Sequence, residues 1–159
     1  MLRVASLMAA LVMLLSSPTL VRAAAPFPVS ATLDFAQSRV LFAETNAART
    51  SAGLQALAHD RLLDSLAAEQ AQEMVRQGYL GHTSPSGVTF QQRVRAAGIR
   101  YSFAAENVAT AADAQQAQDA LVRSPEHYAN IVNPRVRKLG TAAVPAGDGK
   151  VYFVQEFAD

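Results

Sequence analysis

The sequence contains no cysteine among its 159 residues, and only 17% of them are charged. Without cysteine the chain forms no disulfide, so its stability has to come from an ordinary hydrophobic core. Half of the residues are hydrophobic, which makes such a core feasible. The formal net charge is +1, and a charge this small gives no electrostatic reason to expect nucleic acid or an anionic membrane as a partner.

The one long apolar run, residues 4–15, is too short to span a bilayer comfortably. It follows a basic start at Arg3 and precedes the small-residue site "VRAAA", which together are typical of a secretory signal peptide covering residues 1–23. Cleavage is expected after Ala23; a cut after Ala25 and an uncleaved anchor are the alternatives. Removing 23 of the 159 residues leaves 136, with 12 basic and 13 acidic side chains, net charge −1. We therefore expect one secreted or periplasmic domain without a transmembrane segment, and a monomer.

Residues 24–32 are rich in alanine, proline and serine and predict a flexible lead-in to a domain at 33–159. Asp60 is expected to cap a second helix, which Gly78 would end in a left-handed turn. Two apolar stripes at spacings of three and four predict the buried faces of the first two helices. They are Leu33, Ala36, Val40, Ala43 and Ala47 in the first helix, and Leu63, Leu66, Ala67, Ala71 and Met74 in the second.

The second half of the chain mixes helices and strands. Thr89 and Gln92 form a capping-box pattern for a short helix that Gly98 would end. Residues 99–109 are expected to be extended or irregular, 112–122 helical, and Ser124 should cap a helix that begins with proline. Residues 137–146 and 150–158 predict a terminal β-hairpin around the Gly- and Asp-rich turn "AGDGK".

Three features carry candidate chemistry: His82 in the loop "LGHTSPSG", Glu106 in "AAENVA", and the pair Glu126-His127 in "SPEHYAN". Glu106 lies among alanine and valine, so its carboxylate should be buried, and a buried carboxylate is costly unless it is paired or hydrogen-bonded. The two histidines are its natural partners. Their simplest alternative role is to hold loop backbones through hydrogen bonds.

The ordered set of motifs resembles the CAP superfamily of cysteine-rich secretory proteins, antigen 5 and pathogenesis-related proteins, and within it the small bacterial branch. The matching pieces include "GYLGHTSPSGVTFQQRVRAAGI", "AENVA", "SPEHYANIVNPRVRKLGTAAV" and "YFVQEFA". The resemblance implies an α+β fold, a three-layer α-β-α sandwich with a small central antiparallel sheet. It also implies a groove lined by His82, Glu106 and His127. The family's further groove glutamate falls at Ser124, so a role for Glu126 in its place stays open.

Two functions follow from this resemblance. The first is a binding module whose groove takes a lipid, a cell-envelope component or a protein, with a divalent metal such as zinc on His82 and His127. Glu106 would then orient a histidine rather than bind the metal, and would raise the pKa of both histidines. The alternative is a metal-dependent extracellular hydrolase with Glu106 as acid/base, although no H-E-x-x-H helix or nucleophile elbow is present. A purely structural envelope protein, with no groove, is the third interpretation.

Other polar residues have ordinary structural interpretations. His59 is expected at the surface. Asn107 and Asn130 are expected to cap backbone groups. Arg49 and Arg93 are expected to form salt bridges or to extend along apolar surface. The aromatic residues Tyr101, Phe103 and Phe153 are core candidates.

Overall fold

The computed structural model describes residues 32–159, so the predicted signal peptide and most of the lead-in lie outside the described residues. The elements in chain order are α1 (Phe35–Ser51), β1 (Ala58–His59), α2 (Arg61–Gln77), α3 (Phe90–Ala96), β2 (Ala104–Ala111), α4 (Ala114–Arg123), α5 (Pro125–Ile131), β3 (Lys138–Pro145) and β4 (Val151–Ala158). The loop 78–89 between α2 and α3 is called the His82 loop below. Within residues 32–159, no helix is long and apolar enough to cross a membrane.

One sheet with the strand order β1-β3-β4-β2 forms the centre of the domain. The terminal hairpin β3–β4 and the pair β4–β2 are antiparallel, as predicted. The two-residue strand β1 adds a short parallel pairing to β3 that the sequence analysis did not anticipate. In this register Glu106 of β2 lies opposite Glu156 of β4, which in turn lies opposite Gly140 of β3.

Helices cover both faces of the sheet, which confirms the predicted three-layer α-β-α sandwich. On one face α1, α4 and α5 enclose a core that includes Leu41, Leu121, Ile131, Phe153 and Phe157. On the other face α2 packs against β3 and β4 and buries Met74, Val108 and Val154 with its alanines. The α3 helix adds Phe90 and Val94 beside Leu66.

The predicted buried stripe of α1 is wrong. Val40 is 41% exposed, and Ala36, Ala43 and Ala47 also face solvent. The buried positions are Ser38, Leu41, Thr45 and Arg49. Three of these four are polar and have hydrogen-bond partners inside the protein, so hydrophobic periodicity alone selects the wrong face. Within residues 32–159 Arg49 forms no salt bridge, and it donates hydrogen bonds to the backbone carbonyls of residues 55, 131 and 133. Burial lowers its pKa, and the charge of Arg137 lowers it further.

The boundaries of α2 and α3 follow the predicted chemistry. Asp60 accepts hydrogen bonds from the first turn of α2, and that helix ends at Gly78 in a left-handed conformation, φ 66°. Thr89 and Gln92 form the capping box of α3. Gly98 follows α3 with φ 69°. These local signals are confirmed because each depends only on residues within one turn.

Gly140 brings α2 into contact with the sheet. A Cβ atom at this position would lie 2.1 Å from the backbone carbonyl carbon of Leu63 and 2.2 Å from the amide nitrogen of Asp64. Only glycine leaves room for the first turn of α2 to lie directly on β3. This close approach gives α2 a defined position, and the His82 loop, which follows α2, begins from there.

Candidate functional site

Glu106 is the central residue of the candidate site. It lies on β2 between apolar neighbours, and its side chain is only 1% exposed. One carboxylate oxygen accepts a hydrogen bond from His82 Nδ1 at 2.8 Å, and the other accepts from Arg93 Nη2 at 2.6 Å. Both oxygens of this buried carboxylate are therefore satisfied, as a buried charge requires.

Arg93 connects Glu106 to the His82 loop. It extends from α3, its side chain is 11% exposed, and its Nη1 donates to the backbone carbonyl of His82 at 3.0 Å. The guanidinium thus binds the carboxylate and the histidine's own backbone together. The predicted salt bridge of Arg93 is confirmed, but its part in holding His82 was not foreseen.

His127 is held by other partners than Glu106. Its Nδ1 lies 2.8 Å from the hydroxyl oxygen of Ser124, the residue that precedes α5. Ser124 is the N-cap of α5, yet its side chain makes no capping hydrogen bond, because the hydroxyl pairs with the histidine instead. Asn107 Nδ2 donates to the backbone carbonyl of His127 at 3.0 Å and so ties α5 to β2.

The two histidines differ in electrostatics, which corrects the expectation that both pKa values rise. The hydrogen bond to Glu106 raises the pKa of His82 above its ordinary value. Burial lowers the pKa of His127, and the charge of His82 lowers it further. The difference arises because only His82 contacts the carboxylate.

A groove of about 370 Å³ opens beside His82. Its walls are the His82 loop with the start of α3, and its floor is the first half of β2. The lining residues are His82, Thr83, Thr89, Phe90, Gln91, Ala104, Ala105, Glu106 and Asn130. His127 does not line this groove directly, although the charge of His82 acts on it.

Glu126 lies apart from this cluster. It is exposed in the first turn of α5 and has no hydrogen-bond partner among residues 32–159. Its charge acts on His127 only as the weakest of three effects on that pKa. At the position where the resemblance places a glutamate, the hydroxyl of Ser124 contacts His127.

Two buried polar residues next to the site, Glu156 and Gln155, were not among the residues predicted from the sequence. Glu156 is completely buried on β4 opposite Glu106. Asn130 donates to Asn107, which donates in turn to Gln155 at the centre of the sheet. The burial of Glu156 could have been predicted, because strand alternation places it on the same face of β4 as Val154.

The described residues fit a zinc site only in part. Nδ1 of each histidine is already hydrogen-bonded, which leaves Nε2 of His82 and of His127 as ligand atoms. Catalytic zinc sites use three protein ligands and structural sites use four. Residues 32–159 contain no group of three or more histidine, cysteine or carboxylate side chains placed to hold a metal ion.

A larger cavity of about 650 Å³ lies between α1 and α2. Its lining surface is mainly apolar, with Leu33, Phe42 and Ala68 among the lining residues, and it shares no lining residue with the groove. His59 lies at its edge in contact with Asp64 and is half exposed. The prediction that His59 is a surface residue is confirmed.

Helices on both faces of one small sheet, with a histidine–carboxylate cluster at a groove, define the class of this domain. The sequence pattern of the cysteine-rich secretory protein family, CAP, matches residues 42–157, and the chain belongs to this family. The uncharacterized protein YkwD of Bacillus subtilis is 32% identical over 104 residues, which are 65% of this chain and 40% of that protein. The chain thus matches less than half the length of this relative.

Solved structures show the same fold. An extracellular protein containing an SCP domain from Bacillus anthracis superposes with a TM-score of 0.70 and is 25% identical, over 77% of this chain and 40% of that chain. An outer surface protein of Borrelia burgdorferi superposes with a TM-score of 0.74 at 22% identity, over 81% of this chain and 98% of that chain. The fold predicted from the motifs is therefore confirmed.

Proposed function

We propose that the domain is a secreted binding module whose groove holds a polar ligand of the cell envelope. The observation that carries this proposal is the cluster of His82, Glu106 and Arg93 at the groove. Because Glu106 is buried and held from two sides, the half-exposed His82 ring has a defined direction. Its Nε2 has no partner among residues 32–159 and is free to bind a ligand.

The lining of the groove favours a polar ligand over a lipid. Thr83, Gln91 and Asn130 offer hydroxyl and amide groups, and Phe90 is the one large apolar side chain among the lining residues. Sugar hydroxyls and peptide amides are the ligand groups that such side chains bind. The glycan-peptide polymer of a cell wall carries both, and we take it as the ligand class; a lipid or a protein is the alternative that the test below separates.

The geometry supports binding rather than acid/base catalysis by Glu106. A general base has to reach its substrate at hydrogen-bond distance. Both oxygens of Glu106 are occupied, and its side chain is 1% exposed. In this arrangement Glu106 positions His82, and the hydrolase alternative loses its proposed acid/base.

Secretion to the cell exterior or the periplasm belongs to the same proposal. It is supported by the N-terminal pattern of a basic start, a short apolar run and a small-residue site. The names of the two similar structures, an extracellular protein and an outer surface protein, agree with it.

Zinc binding is proposed only as a weak property of the rings of His82 and His127, which are close enough for the charge of His82 to lower the pKa of His127. Two imidazole nitrogens with water completing the shell give a site that protonation opposes, so affinity should rise with pH. Titration calorimetry with zinc should show binding that is lost in both His82→Ala and His127→Ala and kept in His59→Ala. Equal zinc binding by the parent and the three variants would contradict a zinc site at His82 and His127.

Cosedimentation with insoluble cell-wall polymer tests the ligand class. The protein should sediment with the polymer, His82→Ala should sediment much less, and His59→Ala should match the parent. Lipid vesicles form the second arm; binding to vesicles and not to the polymer would contradict the proposed class. Release of soluble fragments by the parent but not by Glu106→Gln would establish the hydrolase instead.

A further inference from the structure

Glu156 is the buried group that the site described above does not use. It is fully enclosed in the middle of β4, and in the sheet register it lies directly opposite Glu106. Neither of its carboxylate oxygens has a hydrogen-bond donor within residues 32–159. An unpaired charge in such a place is strongly unfavourable, and buried groups of this kind neutralise by binding a proton.

The charged groups around Glu156 also favour its protonation. From β2 it faces the carboxylate of Glu106, and from α3 it is reached by the positive charge of Arg93. Its neighbour on β3 is Gly140, which has no side chain, and the buried residues of α2 include no charged one. Arg93 is the buried cation beside these two carboxyl groups, and both it and the half-exposed ring of His82 are hydrogen-bonded to Glu106. Glu156 has no cation hydrogen-bonded to it within residues 32–159, which favours its protonated form.

Protonation also removes the missing hydrogen bond. Two carboxylates offer only acceptors to each other, whereas a protonated Glu156 has one O–H donor and Glu106 is an acceptor beside it. Burial first and the charge of Glu106 second raise the pKa of Glu156 well above its ordinary value. Glu106 is the acceptor of the pair, because its two oxygens already accept hydrogen bonds from Arg93 and His82.

We propose that Glu156 is protonated in the folded protein and donates its proton in a hydrogen bond that fixes the Glu106 carboxylate beneath His82. Glu156 is thus a positioning residue, acting on the groove through Glu106. This role does not depend on which ligand the groove takes.

Carbon-13 NMR of the glutamate side chains tests the proton directly and needs no substitution. The carboxyl carbon of Glu156 should show the chemical shift of a protonated acid at pH 6. In Glu106→Gln the same carbon should titrate at lower pH, because the neighbouring charge is gone. An ionised Glu156 at pH 6, or a titration of Glu156 that Glu106→Gln leaves unchanged, would overturn the proposal.

The pH dependence of unfolding gives an independent measure. The folded-state pKa of Glu156 lies above the unfolded value near 4.5, so its contribution to stability is full below that pH and is lost as the pH rises toward the folded pKa. Glu156→Gln has no proton to lose. The ratio of its folding constant to that of the parent should rise about tenfold per pH unit above pH 4.5 until the folded pKa is reached. A ratio independent of pH would overturn the proposal, and Glu126→Gln serves as the exposed control.

A third measurement separates positioning from simple space filling. Glu156→Gln keeps a donor for Glu106, whereas Glu156→Met keeps the volume without a donor. The Nη resonances of Arg93, which binds Glu106, should keep their parent positions in Glu156→Gln and move in Glu156→Met. Equal spectra for the two variants would show that Glu156 only fills space.

Discussion

His82 and Glu106 are 24 positions apart in the chain, and the imidazole Nδ1 of one lies 2.8 Å from a carboxylate oxygen of the other. This pair joins the loop after α2 to the centre of the sheet. Since the carboxylate is buried and the ring is half exposed, the hydrogen bond joins a carboxylate inside the sheet to a ring at the surface of the groove.

The pair makes stability depend on pH through His82. The folded-state pKa of His82 is raised above 6.5, so the stability it contributes is full below pH 6.5 and is lost as the pH rises through the raised value. The difference in unfolding free energy between the parent and His82→Gln should be larger at pH 5 than at pH 8. Because the ring is half exposed, the effect should be small; denaturant titrations at both pH values measure it, and a larger difference at pH 8 would contradict the assignment.

Replacing Glu106 by glutamine should destabilise the protein. The change leaves the buried guanidinium of Arg93 without its carboxylate, and we expect a loss of about 2–4 kcal/mol. The matched control is Glu73→Gln, which breaks the exposed pair with Arg76 and should cost at most about 1 kcal/mol. Urea unfolding of the two variants compares them, and equal losses would mean that burial of the Glu106 pair has no energetic consequence.

Gly140→Ala should be among the most damaging single changes in the chain. The added methyl group would overlap the backbone of Leu63 and push α2 away from β3, at a cost of about 3 kcal/mol or more. Gly81→Ala is the control, because a Cβ there meets no atom within 4 Å and the residue does not have a positive φ. Thermal unfolding should show a large loss of melting temperature for Gly140→Ala and almost none for Gly81→Ala. An unchanged melting temperature for Gly140→Ala would mean that α2 does not pack directly on β3.

Gly78→Ala and Gly98→Ala should each cost about 1 kcal/mol. Both positions have space for a methyl group, so the cost arises from positive φ alone. Thermal melts of the two variants measure it. Unchanged melting temperatures for both would mean that these glycines do not end α2 and α3.

The fold could be predicted from the sequence wherever short-range chemistry decides the structure. The helix ends depend on capping residues that act within one helical turn, namely Asp60, Gly78 and Thr89. The buried face of α2 also follows the predicted apolar spacing. The buried face of α1 could not be predicted, because Thr45 and Arg49 are buried through hydrogen bonds to distant segments. The local spacing of apolar residues does not indicate such distant hydrogen-bond partners.

The candidate site divides in the same way. The motifs identified His82 and Glu106, which the structure joins, and His127, which it places nearby with Ser124 as its partner. Glu156 could not be recognised as a partner of Glu106 from spacing alone. The pairing of Glu106 with Glu156 depends on the register of β2 with β4, and the two residues are 50 positions apart in the chain.

The central claim, that the groove beside His82 is the ligand site, is tested most directly by NMR titration of the labelled protein with soluble fragments of cell-wall peptidoglycan. Saturable shifts are expected at His82, Thr83, Gln91 and Asn130, and they should be lost in His82→Ala. Shifts confined to Leu33, Phe42 and Ala68, which line the larger cavity between α1 and α2, would contradict it.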